Sequence, residues 1–156
     1  MMRFKKLSTA DAEQLAQLHA QVFDEPAAWQ ASAFRDVLAL TSTRAIGVWC
    51  DEALAAFLVA QYVQPEAEIL TIATKPSFQR RSLAKDLVES LQSELLKEGL
   101  EKWLLEVAAD NHQAVAFYDK IGFQLDGRRP EYYKRLEGTR IDAILMSKPL
   151  ARQETN

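Results

Sequence analysis

Four leucines spaced four residues apart constrain the fold of this chain more than any other feature. They are Leu83, Leu87, Leu91 and Leu95, and acidic and amide side chains occupy much of the remaining surface of the segment. This spacing predicts an amphipathic helix with Gly99 as its C-cap. Such a helix buries its apolar stripe against another element, so the segment predicts a domain in which helices pack on a second layer.

Apolar and β-branched runs on both sides of this helix predict that the second layer is a sheet. Asp51 and Glu52 separate two such runs and predict a hairpin, and Pro26 separates the first two helices. The predicted strands are residues 3–7, 44–50, 53–63, 68–74, 102–107, 123–128 and 141–146, and the other predicted helices are residues 12–19, 32–40 and 114–121. The order β-α-α-β-β-β-α-β-α-β-β predicts an α/β (α+β) chain with a mixed sheet and helices packed on it.

Length and the apolar runs limit the chain to a narrow set of classes. Its 156 residues predict one domain over residues 1–150, followed by a short polar tail over residues 151–156. The longest apolar run, residues 53–60, is far shorter than the ~20 residues of a membrane span. The basic start leads into no apolar stretch, so no signal peptide is predicted. The single cysteine, Cys50, excludes an internal disulfide and a multi-cysteine metal site, and a cytoplasmic location is expected.

The charge distribution predicts a soluble protein with one basic segment. A net charge of −3 is too small to predict a nucleic-acid partner, and no basic stripe surrounds the tryptophans. His19 and His112 have no partner at ligand spacing, so no metal site is predicted. One domain with an ordinary surface favours a monomer. The basic residues concentrated in one segment are Lys75, Arg80, Arg81 and Lys85.

This basic segment joins the strand that ends at Thr74 to the start of the leucine helix. A helix N-terminus presents unpaired N–H groups and the positive end of the helix dipole, so it stabilises an anion. Ser82 and Ala84 are small enough to let an anion approach the backbone, and the basic side chains add fixed positive charge. An anion-binding loop and a solvated basic loop both fit these residues.

A carboxylate interrupts the next predicted strand, in the stretch Leu104-Leu105-Glu106-Val107. If the strand is central, Glu106 is partly removed from water and is a candidate general base. On an edge strand the same side chain would face water, and a structural ion pair is a third possibility. The residues alone leave these alternatives open.

A short helix then follows, and its sequence is Asn111-His112-Gln113-Ala114-Val115-Ala116-Phe117-Tyr118. Asn111 is a good N-cap, and Tyr118 lies about two turns into the helix. A helical aromatic side chain commonly belongs to the core. A phenol is also protonated at neutral pH, which makes Tyr118 a candidate proton donor.

Five motifs in a fixed order connect these candidates. The first four are Ala67-Glu68-Ile69-Leu70-Thr71-Ile72-Ala73, Gln79-Arg80-Arg81-Ser82-Leu83-Ala84, Leu105-Glu106-Val107-x-x-x-Asn111 and Ala116-Phe117-Tyr118-x-x-Ile121-Gly122-Phe123. The fifth is Gly127-Arg128-Arg129-x-x-Tyr132-Tyr133 followed by Asp142-Ala143. Together they resemble the GCN5-related N-acetyltransferase (GNAT) superfamily, and more narrowly the bacterial ribosomal-protein-alanine N-acetyltransferases, the RimI family. The resemblance covers residues 3–150 and is strongest from residue 67 onward.

The resemblance implies a fold, a reaction and a set of site residues. The fold is a mixed, mostly antiparallel sheet of about six to seven strands with about four helices on both faces. The reaction moves the acetyl group of acetyl-CoA to the N-terminal α-amine of a protein, an alanine of a small-subunit ribosomal protein, by direct attack in a ternary complex. Glu106 is then the general base and Tyr118 the general acid. The residues that would contact acetyl-CoA are Ile72, Ala73 and Thr74 at the pantetheine arm, Arg80, Arg81, Ser82, Leu83, Ala84 and Lys85 at the pyrophosphate, and Asn111.

The chain departs from the family pattern at two places. Its loop contains no glycine, because Ser82 stands at the family glycine and Ala84 at the second small position. We therefore expect weaker acetyl-CoA binding, although a serine hydroxyl can also donate a hydrogen bond. Ala108 and Asp110 stand where many relatives carry an arginine and a serine, which bears on acceptor specificity.

Two other functions remain as alternatives. An acetyltransferase of the same fold that acts on a small free amine or a lysine side chain would need no N-terminal peptide. A non-catalytic acyl-CoA-binding regulatory module would bind acetyl-CoA without turnover, and the presence of both Glu106 and Tyr118 argues against it. Cys50 lies at the end of a distant early strand, so no acyl-enzyme is expected.

Overall fold

The computed structural model describes residues 1–24 and 27–151, so that Pro26 and residues 152–156 of the predicted tail lie outside it. Within these residues the elements are β1 (Met2–Lys6), α1 (Ala12–Val22), α2 (Ala31–Leu38), β2 (Thr43–Cys50), β3 (Ala53–Val63), β4 (Glu66–Thr74), α3 (Leu83–Lys97), β5 (Lys102–Ala108), α4 (His112–Lys120), β6 (Gln124–Lys134) and β7 (Arg140–Pro149). Short 3-10 helices cover Thr9–Asp11 and Pro76–Phe78. The predicted order of strands and helices is confirmed.

The leucine helix is the element that the sequence predicted best, whereas β6 and β7 differ most from prediction. Gly99 follows α3 with a φ of 97°, as expected for a glycine that ends a helix. β6 and β7 continue to Lys134 and Pro149, beyond the predicted ends at residues 128 and 146. β6 exposes nearly all of its side chains, so its outer half has no apolar alternation for a periodicity argument to detect.

The strands of the described residues form one seven-stranded sheet in the order β1-β2-β3-β4-β5-β7-β6. β4 and β5 are parallel, and all other neighbouring pairs are antiparallel. The sheet is therefore mixed and mostly antiparallel, as expected. β5, which carries Glu106, lies between β4 and β7, so the edge-strand alternative for Glu106 is wrong.

Helices cover both faces of the sheet and define two apolar clusters. α3 packs its leucines on one face, and Tyr118 of α4 belongs to the same cluster. α1 and α2 pack Leu15 and Phe34 on the other face. β3 contributes to both clusters, because successive residues such as Phe57 and Leu58 point to opposite faces of the sheet. None of the helices in the described part is long and apolar enough to cross a membrane. We call the two sides of the sheet the α3 face and the α1 face.

Candidate active site

β4 and β5 separate part-way along their length, and the opening between them is the central feature of the site. Their parallel pairing joins residues 66–69 of β4 to residues 102–105 of β5. Beyond it, β4 stays paired with β3 and β5 stays paired with β7. Over residues 70–74 one edge of β4 thus has no strand neighbour among the described residues. A free strand edge can pair with the amide groups of an extended ligand, and this edge includes Ile72, Ala73 and Thr74.

A β-bulge at Leu70 accompanies the separation. Successive residues of β3 pair with Thr71 and Ile69, so Leu70 has no partner opposite it. A bulge bends its strand and increases the local twist, which turns the end of β4 away from β5. Leu70 packs on the α1-face cluster, and the Thr71 hydroxyl contacts His19 of α1. The bulge therefore directs two consecutive side chains to the same face.

The basic loop joins β4 to α3, as predicted, and begins where the free edge ends. Of the residues predicted to contact the pyrophosphate, Arg80, Arg81, Ser82 and Lys85 are exposed. Ala84 is half-buried, and Leu83 is buried in the α3-face cluster, so the backbone is the part of Leu83 left for a ligand. The Arg81 guanidinium carbon lies 5.3 Å from the centre of the Phe78 ring, which holds this cation beside the loop.

Two residues of this loop have a left-handed backbone. Arg80 has a φ of 67° and Ser82 a φ of 60°. For a residue other than glycine this conformation costs roughly 1–2 kcal/mol, which gives a physical reason for the family glycine at position 82. The Ser82 hydroxyl makes no capping bond to α3, and the first helical bond runs from the Asp86 N–H to the Ser82 carbonyl at 2.9 Å. The N–H groups of residues 83–85 thus precede the first helical bond, as an anion site requires.

Glu106 lies on the α1 face of β5, just past the point where the two strands separate. Its neighbours Leu105 and Val107 belong to the α3-face cluster, so the Glu106 side chain points to the opposite face. The side chain is 23% exposed, and its Oε1 lies 3.0 Å from Nη2 of Arg129 on β6. Glu106 therefore combines two of the predicted alternatives, a central strand and an ion pair.

Two more titratable side chains, Glu68 on β4 and Tyr133 on β6, lie close enough to Glu106 to sense its charge. Burial raises the pKa of both groups, and the negative charge of Glu106 raises it further. No role was predicted for Glu68 from the sequence. Its position between Ala67 and Ile69, which are both buried on the α3 face, is the signal that places it on the α1 face with Glu106.

Tyr118 lies on the α3 face, 4% exposed, with edge-to-face contacts to Phe117 and Phe123. Burial raises the pKa of this phenol above its ordinary value, so it is protonated at neutral pH. Among the described residues, every side-chain oxygen or nitrogen that is fully shielded from solvent has a hydrogen-bond partner, whereas the Tyr118 hydroxyl has none. Its hydroxyl therefore reaches an accessible surface. The core position is confirmed, and the proton-donor role stays a prediction.

Asn111 caps α4, as predicted, since its Oδ1 accepts a hydrogen bond of 3.2 Å from the Ala114 N–H. Its side-chain NH₂ group remains as a donor for a ligand. The preceding residue, Asp110, accepts a hydrogen bond of 3.1 Å from Nε of Arg135. This pair ties the end of β5 to the segment between β6 and β7, at a position where the chain departs from the family pattern.

A cleft of about 650 Å³ opens between α1, α2 and the segment that joins β6 to β7. Its walls include Ala16, Ala20, Trp29, Ala31 and Leu136. Small side chains widen the cleft and the indole provides a flat apolar wall, so the cleft has the character of a site for a side chain or a short extended segment.

The predicted site residues therefore fall into three groups. One group lies on the free edge of β4, a second in the loop and first turn of α3, and a third on β5 and in the segment from Asn111 to Tyr118. Glu106 and Tyr118 are on opposite faces of the sheet. No group of three or more His, Cys, Asp or Glu side chains in the described ranges is arranged to hold a metal ion.

Residues 12–123 match the model of a family described as Acetyltransferase (GNAT) family. The chain belongs to this family. The ribosomal protein bS18-alanine N-acetyltransferase of Escherichia coli K12 is 41% identical over 98 residues, which are 63% of this chain and 66% of that protein. The chain thus spans just under two thirds of that relative's length in this match. The N-alpha-acetyltransferase RimI of Mycobacterium tuberculosis is 32% identical over 134 residues, 82% of each chain.

Solved structures show the same GNAT fold. The crystal structure of the ribosomal-protein-S18-alanine N-acetyltransferase from Escherichia coli has a TM-score of 0.88 at 30% identity, and the match covers 100% of this chain and 98% of that one. Arabidopsis thaliana NAA60 in complex with acetyl-CoA has a TM-score of 0.79 at 19% identity, covering 96% and 99%, which is a likeness of fold alone.

These comparisons confirm the predicted fold and, at the level of the family, the predicted enzyme class, an N-acetyltransferase that uses acetyl-CoA. The geometry of this chain fits that co-substrate. The free edge of β4 offers backbone amide partners to an extended arm, and the exposed cations and helix N-terminus offer partners to a pyrophosphate.

Proposed function

We propose that this chain transfers the acetyl group of acetyl-CoA to the N-terminal α-amine of a protein, an alanine of a small-subunit ribosomal protein. The observation that carries the proposal is Glu106, a carboxylate beside the opening between β4 and β5, on the face that α1 and α2 cover. The names of the Escherichia coli and Mycobacterium tuberculosis relatives support this choice of acceptor. In this proposal the enzyme acts as a monomer in the cytoplasm.

In this proposal acetyl-CoA binds along the free edge of β4. Backbone groups of Ile72, Ala73 and Thr74 pair with the pantetheine arm. The pyrophosphate lies against the loop, where its partners are Arg80, Arg81, Ser82, Leu83, Ala84 and Lys85, those of the first turn of α3 acting through their N–H groups. Asn111 contributes its side-chain NH₂ group. The backbone supplies most of these contacts, so the binding depends on the loop conformation more than on single side chains.

Glu106 takes the proton that the acceptor nitrogen loses as it attacks the thioester carbonyl, directly or through one water. The salt bridge to Arg129 holds the carboxylate in place, and the Arg129 side chain is 55% exposed, so it can turn into solvent when an acceptor arrives. The amine that attacks is unprotonated, so Glu106 accepts a single proton in each cycle.

Tyr118 donates its phenolic proton to the sulfur when the C–S bond breaks. The N–C bond forms and the C–S bond breaks in one ternary complex, so CoA leaves as the thiol and the acetyl group remains on nitrogen. Burial keeps the phenol protonated until the thiolate appears, which is the state that a general acid needs. Glu106 and Tyr118 thus handle the two protons from opposite faces of the sheet.

An α-amine suits a site with one carboxylate base better than a lysine does. An α-amine has a pKa of about 7.7–8.0, so roughly a tenth of it is unprotonated at neutral pH, whereas a lysine of pKa about 10.4 has under ~0.1% in that form. The cleft between α1, α2 and Leu136 offers space for the residues that follow the N-terminal one. Both arguments favour a peptide N-terminus over a lysine side chain.

The test is mass spectrometry of two peptides incubated with the protein and acetyl-CoA. One peptide has a free N-terminal alanine followed by basic residues, and the other has a blocked N-terminus and an internal lysine. We expect one added acetyl group on the first peptide and none on the second. Acetylation of the lysine peptide alone, or of small free amines alone, would overturn the proposal. Tight acetyl-CoA binding without turnover on any amine would favour the regulatory module instead.

A further inference from the structure

His19 is a buried polar side chain that the proposed reaction does not use. It lies in α1, is 1% exposed and is surrounded by aromatic rings. The Phe23 ring stacks on it with 4.3 Å between ring centres, and Phe34 meets it edge to face at 5.5 Å. A polar group in such surroundings is costly unless its hydrogen bonds are satisfied. Both ring nitrogens of His19 have a partner.

The two hydrogen bonds define the state of the ring. The backbone N–H of Trp29 donates a hydrogen bond of 3.0 Å to Nδ1 of His19, so Nδ1 carries no proton. The proton of the neutral ring is therefore on Nε2, which donates to the Thr71 hydroxyl oxygen at 2.8 Å. Burial lowers the pKa of His19 to about 4, in agreement with a neutral ring. His19 therefore has one acceptor and one donor in fixed directions.

These partners belong to the two halves of the active site. Thr71 immediately follows the bulged residue Leu70, where β4 turns away from β5 and its free edge begins. Trp29 precedes α2 and its side chain lines the cleft. One imidazole thus joins the strand edge proposed for acetyl-CoA to the wall proposed for the acceptor.

We propose that His19 is a positioning residue for both substrates. Its Nε2–H fixes Thr71 and with it the β4 edge that receives acetyl-CoA, while its Nδ1 fixes the Trp29 backbone and with it the acceptor cleft. The inference rests on the proposed function for its acceptor half. Its acetyl-CoA half requires only the family activity.

Substitution of His19 by either of two amide side chains tests its two hydrogen bonds separately. Glutamine places its NH₂ near the position of Nε2, so His19→Gln keeps the donor to Thr71 and loses the acceptor for Trp29. Asparagine places its oxygen near the position of Nδ1, so His19→Asn keeps the acceptor and loses the donor. Each lost buried hydrogen bond is expected to weaken the dependent binding step by about tenfold. His19→Gln should raise the KM for the peptide, and His19→Asn should raise the Kd for acetyl-CoA, with the other constant near wild type in each case.

Thr71 provides a second pair of variants that leaves His19 in place. Thr71→Val removes the hydroxyl and should reproduce the weakened acetyl-CoA binding of His19→Asn. Thr71→Ser retains the hydroxyl and should bind acetyl-CoA like the wild type. Thermal unfolding is measured for every variant, so that a general loss of stability is recognised.

The outcomes separate positioning from structure alone. A merely structural His19 would change both binding constants together in each His19 variant, and equal acetyl-CoA binding by Thr71→Val and Thr71→Ser would also overturn the inference. Calorimetric titration with acetyl-CoA needs no acceptor. If the wild type acetylates no peptide, the proposed function fails, while the Thr71 pair still decides whether the bond to His19 positions the β4 edge.

Discussion

The two faces of the sheet are built from different chemistry. The α3 face is apolar and regular, with the leucine stripe of α3 packed on alternate residues of the central strands. The α1 face has an apolar cluster under α1 and α2, and beside it the charged and polar groups Glu68, Glu106, Arg129 and Tyr133. The first face holds the fold together, and we propose that the second does most of the acceptor chemistry.

Because of this difference, effects on stability and effects on activity are expected at different positions. A side chain on the α3 face contributes through the apolar area that it buries, which is large and independent of charge. A side chain in the polar group on the α1 face contributes little to stability, because its ion pairs are partly exposed. Substitutions on the two faces should therefore act on different measurements.

The largest expected effect is on stability, from Leu87→Ala. Leu87 is fully buried in the α3-face cluster, and truncation of such a residue leaves a cavity that costs about 2–5 kcal/mol in free energy of unfolding. Chemical denaturation measures the loss, with Leu40→Ala as the control, since Leu40 is 50% exposed. A change below that of the control would show that α3 repacks and would remove the contrast between the faces.

Glu106→Gln should produce the opposite pattern. We expect turnover to fall by about 10², or about 2.7 kcal/mol of activation free energy, because the amide cannot accept the proton. The Kd for acetyl-CoA and the free energy of unfolding should change little, since the lost salt bridge is partly exposed. Steady-state kinetics and calorimetry check this, with the exposed Glu94→Gln as control. Unchanged turnover would remove Glu106 from the mechanism.

Tyr118→Phe tests the one reactive group that we place on the α3 face. The ring and its contacts with Phe117 and Phe123 remain, so the loss of the hydroxyl should lower turnover by up to about 10² with little loss of stability. Tyr62→Phe is a matched control, because the Tyr62 hydroxyl donates a structural bond of 2.7 Å to the Glu98 carbonyl. Equal turnover of Tyr118→Phe and wild type at all pH values would leave Tyr118 as a core residue only.

The same contrast explains which parts of the structure were predictable from sequence. The leucine helix, the hairpin at Asp51 and the order of the elements follow from periodicity and turn residues, which are local signals. The apolar residues on both sides of Glu106 also predicted the strand that carries it. The bulge at Leu70 and the separation of β4 from β5 depend on pairing between distant segments, and no local pattern encodes them.

Side-chain contacts between distant elements could likewise not be predicted from the sequence. The salt bridge between Arg129 of β6 and Glu106 of β5 depends on how both strands pair with β7, which lies between them. From the sequence alone, an ion pair was one of several alternatives for Glu106. The sequence showed no partner for His19 at metal-ligand spacing, and its hydrogen bonds to Trp29 and Thr71 could be found only from the fold. Local sequence thus provided the candidate reactive groups, and the fold determined which of them lie close together.

Ser82→Gly should strengthen acetyl-CoA binding by a smaller factor. Ser82 has a φ of 60°, and glycine adopts this conformation without the cost of roughly 1 kcal/mol that serine bears, so the variant should also be slightly more stable. Glycine also removes the Cβ from the surface that faces the pyrophosphate, so we expect the Kd to fall about fivefold. Ser77→Gly, in the 3-10 helix Pro76–Phe78, is the control and should bring no gain. A weaker-binding Ser82→Gly variant would show that the serine hydroxyl itself binds phosphate.

Glu68→Gln should give the smallest effect, a pH-dependent change in Tm. Burial and the nearby charge of Glu106 raise the pKa of Glu68 above its ordinary value, and Arg129 opposes this shift to a lesser degree. The folded state therefore binds the Glu68 proton more tightly than the unfolded state, so stability falls as the pH rises through the ordinary carboxyl range.

The variant carries no charge at position 68 and escapes this penalty. Its Tm should exceed that of the wild type at pH 7. The difference in Tm should shrink as the pH falls through the ordinary carboxyl range, around pH 4, because the wild-type Glu68 then becomes protonated. The gain is small because Glu68 is only partly buried and solvent around its exposed part screens the repulsion. Glu66→Gln, at an exposed position on the same strand, is the control for the substitution itself. A lower Tm for Glu68→Gln at pH 7 would mean that attraction to Arg129 outweighs burial and repulsion, and that the polar side of the α1 face stabilises the fold after all.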